Sequence, residues 1–384
     1  MRIKLIDVDN RLKIKFNEVD GIWNWGDDNC YPSLVKSIIN SSPTAKQCVS
    51  LNAKYATGKG FEFAKDITNK SDLIVNKRGL TINQLLRMVN QEFAYYNNVF
   101  LHINYNSLFE VTSVQLLPAT DVRIAKTDSN NYNGKYKVYN NWDGSKSKKH
   151  SKNDYDVIDR FNPNPEIIQA QVDACGGVWS KYKGQILHIN SDFSELYSLS
   201  DVDSVLADAD SEFKAQEFRN DSLRKGFAGN KIIVTKPFQG GEEEADEFQE
   251  TLTDLRGTSG ILMLEATGET DDLSKEIFIQ NLESNIDSKT FQVDELSAEK
   301  NILKAFGVPS ILVNQDSDSV FGNSGELLKE AKKTLWENRE EEREIIVDAF
   351  QQIFSRFHKP LNPENNWNII PILEKEVSSE NNIG

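Results

Sequence analysis

A helix that cannot continue past residue 306 is the feature that most restricts what this chain can fold into. Residues 281–306 place Ile286, Phe291, Leu296, Ile302, Leu303 and Phe306 at helix-compatible spacing and then meet Gly307, Val308 and Pro309. Glycine takes the left-handed conformation that closes a helix, and a proline just beyond it forbids resumption. The following residues, 310–325, are polar and include Asn314, Gln315, Asp316, Ser317, Asp318, Ser319 and Asn323, which leaves little to bury. Residues 326–357 then run without a glycine or proline. One continuous helix of that length would reach about 48 Å. Its middle, 337–344, is almost wholly charged and offers no apolar face to a monomer's core.

The 384 residues suffice for one large core or two modest ones. A hydrophobic content of 38% with 27% charged residues suits a chain with much surface or interface. The net charge of −15 argues against tight sequence-specific DNA binding, which needs phosphates neutralised, but not against a surface past which DNA slides. Cys30, Cys48 and Cys175 are odd in number, widely spaced and without a CxxC pair, as expected of reduced thiols in a cytoplasmic setting. No basic-then-apolar leader and no run of eighteen apolar residues is present, so neither secretion nor a membrane span is expected.

Along the chain, 2–8 and 11–16 alternate apolar and polar residues around Asp9-Asn10 and predict a hairpin. A loop at 21–29 with Trp23 and Trp25 follows. Pro32 suits the first turn of a helix reaching Ile39, and Ser42 with Pro43 opens another that ends at Gly58-Lys59-Gly60. Thr81 and Gln84 form a capping-box pattern ahead of Leu85, Leu86, Val89 and Phe93. Strands are predicted at 99–104, 110–116, 121–125, 135–139, 155–161 and 184–189. Ser200 is expected to cap a helix over 201–227 whose second half is too polar for a monomer's core. Beyond it, 231–235, 261–265 and 276–279 read as strands and 242–256 as an acidic helix, a small α/β unit between two long helices. The last 26 residues hold one expected strand, 367–373.

Catalytic signatures are poor. Gly58-Lys59-Gly60 lacks the spacing and the Ser or Thr of a phosphate loop and reads as a helix end with a turn. His102 and His188 sit in apolar strands, where a buried, hydrogen-bonded imidazole is commoner than a ligand or base. No His or Cys stands at metal-ligand spacing from either. Glu265, Glu269, Asp271 and Asp272 suggest a Mg²⁺ site only weakly, and an acidic surface loop is the commoner case. Without a nucleophile elbow or a Cys–His pair, no enzyme, metal or cofactor is expected.

The order of these parts resembles the portal proteins of tailed bacteriophages in the HK97-type lineage, over most of the chain. The most specific block is Ile302-Leu303-Lys304-Ala305-Phe306-Gly307-Val308-Pro309, the polar loop and the long helix. Supporting blocks are Gln185 to Ile189 leading through Leu196 to Ser200 into a helix, and Leu116-Leu117-Pro118 after a strand. The resemblance implies an α+β portal fold. It assigns a wing at 1–197, stem helices at 198–227 and 281–309 and a small α/β clip at 228–280. It also assigns a tunnel loop at 310–325, a long wing helix at 326–358 and a short tail at 359–384, with a crown minimal or absent. It further implies a ring of about twelve copies at one capsid vertex of the virion, assembled in the host cytoplasm, with double-stranded DNA passing through. Expected partners are the major capsid protein, the terminase large subunit and a neck or adaptor protein. By the same resemblance Asn314 to Ser319 and Asn323 line the tunnel, Gly307 and Pro309 form the loop's hinge, and Glu242, Glu243, Glu244 and Asp246 dock terminase or adaptor. The rival readings are a neck or baseplate component outside the portal, and a metal-dependent nuclease using the Glu265–Asp272 acids.

Overall fold

A computed structural model describes residues 14–126, 134–142, 154–192, 195–224, 231–235, 261–265, 277–281, 288–313 and 324–372. The fold is mixed α+β and divides into two units, Met1–Ala209 with Lys300–Gly384, and Asp210–Glu299.

In the first unit, β1 (Lys15–Asn17) pairs antiparallel with β2 (Ile22–Asn24), so the tryptophan segment read as a loop begins as a strand. The hairpin expected before it falls outside the described residues, apart from the β1 end. Helices α1 (Tyr31–Ser41) and α2 (Pro43–Thr57) follow, and the Ser42 side chain accepts from the Ala45 amide as predicted. Glycine at 58 (φ 58°) and at 60 (φ 93°) turns the chain after α2, which settles that segment as a helix end. A short helix, α3 (Phe63–Asp66), precedes α4 (Ile82–Tyr96). Thr81 and Gln84 close both halves of the capping box on α4.

Six strands then build the main sheet: β3 (Asn98–Tyr105), β4 (Val111–Leu117), β5 (Val122–Ile124), β6 (Lys135–Val138), β7 (Asp156–Arg160) and β8 (Gln185–Asn190). Their order is β4-β3-β8-β7-β6-β5, antiparallel except for the parallel pair β7–β8. A parallel pair needs a crossover, and α5 (Pro165–Ala174) supplies it, with Asn164 capping the Glu166 amide and Pro165 in the first turn.

Alternation along β3 sets the two faces of the sheet. Phe100 joins a core with Trp25, Tyr31, Tyr197 and Ile186, whereas Val99, Leu101 and Ile103 join Leu85, Val89 and Phe93 of α4. Trp25 is fully buried and stacks on Tyr197 at 4.4 Å. The Tyr197 hydroxyl donates to Trp23 O (3.0 Å) and accepts from the Ile124 amide (2.7 Å), locking β2 to β5. Burial raises its pKa, so it stays a neutral donor.

Ser200 stands at the N-cap position, but its side chain caps no helix amide. Its hydroxyl donates to Tyr95 O at 2.6 Å, and a 3₁₀ turn (Asp201–Val205) comes before α6 (Leu206–Arg224). In the second unit, β9 (Lys231–Thr235), β10 (Ile261–Glu265) and β11 (Ile277–Asn281) form a sheet in the order β10-β9-β11. The β9–β10 pair is parallel and the β9–β11 pair antiparallel. The helix expected at 242–256 lies outside the described residues. This unit holds the expected clip span together with the outer parts of α6 and α7 (Ser288–Ala305).

The long helix expected over 326–358 is interrupted. It forms α8 (Ser324–Asn338) and α9 (Glu340–Phe354), separated at Arg339 (φ −101°, ψ 16°). The buried face of α9, with Ile346, Phe350, Ile353 and Phe354, covers the α4 side of the sheet. After α9 the chain makes an antiparallel bridge at Ile369 to Phe61 rather than the full strand expected over 367–373. Trp367 packs edge-on against Phe61 at 5.4 Å.

Candidate functional site

The described part of the candidate site is the joint where α7 ends. Gly307 has φ 62°, its amide donates to Lys304 O (3.2 Å), and the Val308 amide donates to Leu303 O (3.0 Å). This pair of bonds is a Schellman closure, and Leu303 and Val308 are both buried, as its accompanying apolar contact requires. Pro309 (φ −61°, ψ 129°) then directs the chain into a 3₁₀ turn (Ser310–Leu312) with Leu312 in the core. The firm stop read from Gly307 and Pro309 is present.

Side chains from two distant elements hold that stop. Asn52 Nδ2 on α2 donates to Phe306 O at 3.2 Å, and Arg339 Nη2 approaches the same carbonyl at 3.4 Å. Asn338 Nδ2 reaches Gly307 O at 3.4 Å. A helix C-terminus carries unsatisfied carbonyls and partial negative charge, so a cation here is favoured twice over. Arg339 therefore leaves helical geometry between α8 and α9 to serve the end of α7.

The same arginine binds Glu342, Nη1 to Oε1 at 2.6 Å, with side chains only 11% and 24% exposed. Burial raises the Glu342 carboxyl to about 7, with the Asp201 charge adding to the rise and Arg339 opposing it. Asp201 is itself raised by burial, against the Asn97 hydrogen bond (2.8 Å) and the Arg339 charge. Arg343 folds back over Trp336, its guanidinium carbon 3.7 Å from the ring centroid, and Nη1 donates to Trp336 O at 2.6 Å. The charged segment 337–344 thus has an intramolecular face after all, with Arg343 buried and Arg339 and Glu342 half-buried. The expectation that this run offers nothing to a monomer's core is corrected to that extent.

The arrangement fixes the direction in which the chain leaves Gly307 and Pro309. The residues assigned to the tunnel, Asn314, Gln315, Asp316, Ser317, Asp318, Ser319 and Asn323, lie outside the described residues. So do the docking candidates Glu242, Glu243, Glu244 and Asp246, and Glu269, Asp271 and Asp272 of the weak Mg²⁺ reading. The sequence reading overlooked Asn52 and Arg339, whose roles depend on pairings across many residues.

His188 is half-buried and neutral, its pKa lowered to about 3 by desolvation and the nearby Arg160. It stacks on Phe100 at 4.4 Å and its Nε2 meets Asn98 Oδ1 at 3.0 Å. His102 meets Lys183 O at 2.6 Å and Gln115 at 3.1 Å. Both are hydrogen-bonded strand residues as expected, though half-buried rather than buried. A second strongly buried cation, Arg123, was not foreseen: it donates to Asn29 Oδ1 (2.5 Å), Asn29 O (2.8 Å) and the carbonyls of Ala119, Thr120 and Val122. Burial lowers its pKa to about 10. Among the described residues no cluster of three His, Cys, Asp or Glu side chains stands where it could hold a metal ion, and no helix is long and apolar enough to cross a membrane.

No family model matches the sequence, and no curated protein does. Among solved structures, the chain is similar to one described as the neck of an empty GTA particle, with 14% identity over 79% of this chain and 75% of that one and a TM-score of 0.45. A second, described as the virion of a native gene transfer agent particle, gives the same identity and TM-score over 79% and 74%. A third is the crystal structure of a HK97 family phage portal protein from Corynebacterium diphtheriae, with 9% identity over 85% and 89% and a TM-score of 0.36. These likenesses are to a particle neck, a virion and a phage portal protein.

Proposed function

We propose that the chain is a subunit of a phage portal ring, a structural protein of the head–tail vertex rather than an enzyme. The ring nucleates capsid assembly, conducts double-stranded DNA during packaging and ejection, and carries the terminase motor and later a neck or adaptor protein. The observation that supports this reading most is the insertion of a separate unit, Asp210–Glu299, into the α+β unit through two helices, α6 and α7. A helix with so narrow an apolar stripe as α6 needs neighbours, and copies of itself in a ring supply them.

On this reading the first unit is the wing, α6 and α7 are the stem, and the inserted sheet belongs to the clip that meets terminase and adaptor near Glu242–Glu244 and Asp246. The joint at Gly307 and Pro309, tied down by Arg339, sets the tunnel loop with Asn314 to Ser319 and Asn323 against the DNA. Acidic and amide groups give phosphates few lasting contacts there, which suits a conduit. Light scattering on the purified chain tests the proposal: a ring gives a mass near twelve times 43.6 kDa. Monomers at high concentration would count against it. Mg²⁺-dependent cleavage of DNA would favour the nuclease reading instead.

A further inference from the structure

A groove of about 560 Å³ opens between α2 and α4, beside Ile372. Lys46, Lys54, Lys59 and Arg87 line it, and none of its lining residues is acidic. In a chain with net charge −15 this is an unusual concentration of cations. All four are exposed, and among the described residues none of them forms an ion pair. Clustered like charges repel, so a groove of this kind is left in want of an anionic occupant.

The same chain carries a matching counterpart. The exposed face of α9 presents Glu340, Glu341, Glu344 and Asp348, none of which forms an ion pair among the described residues. Positions 340, 344 and 348 repeat at four-residue spacing along one helical face, spanning about 12 Å. Lys46, Ser50 and Lys54 on α2 repeat at that spacing over the same length. The acid face and the basic groove do not pair with each other within one chain.

We infer that the acidic face of α9 from one copy docks into the Lys46–Lys54–Arg87 groove of the next copy, a head-to-tail contact repeated around an assembly. Different patches on the two partners make the contact heterologous, and such contacts close into rings when the rotation allows. The inference rests on the reading of the chain as a ring subunit and names one surface through which the ring holds together. Exposed charge pairs are screened by salt, so this contact weakens as ionic strength rises and contributes to the choice of register as well as to strength.

The test uses the full chain in four forms: wild type, K46E/K54E, E344K/D348K and the two pairs combined. Mass photometry across a salt series reads the ring population. Each double reversal is expected to lower it at least tenfold at low salt, and the combined variant to restore it, because the charges are exchanged rather than removed. All four positions are exposed, and unchanged melting of each variant confirms that assembly and not folding is being read; K46Q/K54Q provides the milder version, with a smaller loss. Rings in K46E/K54E and E344K/D348K equal to wild type would overturn the interface and leave the ring reading standing. Wild-type monomers at every concentration would overturn both. Retained rings with lost capture of double-stranded DNA in K46E/K54E would overturn the interface in favour of a nucleic-acid groove.

Discussion

Replacing Gly307 with alanine probes the helix stop on which the joint depends. The native φ of 62° lies in the left-handed region, where a side chain costs roughly 1–2 kcal/mol relative to glycine. A Cβ built there also comes within 3.2 Å of Arg339 Nη2, so the guanidinium must give way by a few tenths of an ångström while still reaching Phe306 O and Glu342. Gly79 offers an internal control: its φ is 80° and an added Cβ meets nothing within 4 Å. Gly79→Ala should therefore show the backbone cost alone, and Gly307→Ala that cost plus a loss of about 0.5–1 kcal/mol from the displaced arginine. Gly307→Asn should be milder than Gly307→Ala, because asparagine tolerates the left-handed region. Urea unfolding followed by tryptophan fluorescence measures all three. A Gly307→Ala variant as stable as wild type would refute the Schellman closure. A loss equal to that of Gly79→Ala would refute the role given to the Arg339 approach.

Two further perturbations test the buried charges. Arg123→Met removes the donor that serves Asn29 and three carbonyls around β5, and should cost ~3 kcal/mol in urea unfolding, since those acceptors stay buried without a partner; a loss under ~1 kcal/mol would contradict that bonding. Glu342 has a folded-state pKa raised from 4.5 to about 7, so the native state binds the extra proton and stability falls as pH rises across that window; Glu342→Gln should flatten the pH dependence of the unfolding midpoint between those values, and an unchanged slope would contradict the half-buried Glu342–Arg339–Asp201 arrangement.

Much of the first unit was legible because its signals are local. The capping box at Thr81 and Gln84, the Ser42-Pro43 start and the alternation in β3 and β8 are each decided within a few residues, and the structure has each where the pattern places it. The stop at Gly307 was legible for the same reason. Helix α5 was missed although Asn164-Pro165 is a regular start signal, and the parallel β7–β8 pair demands a crossover there. The break at Arg339 carries no glycine or proline. At the break the guanidinium meets Phe306 O at the end of α7, over thirty residues earlier in the chain, as well as Glu342. Arg123 inside β5 is a partner choice of the same non-local kind, since nothing in Val122-Arg123-Ile124 marks which residue will be buried at the Asn29 turn.

Copies of this chain are expected to form a closed ring with a stem, and class averages from negative-stain electron microscopy of the purified protein are the sharpest test of that ring. End-on views with a central channel and about twelve-fold symmetry are expected, together with side views in which a narrower stem projects from a broader body. Monomeric particles at high protein concentration, or rings whose side views lack a stem, would contradict it.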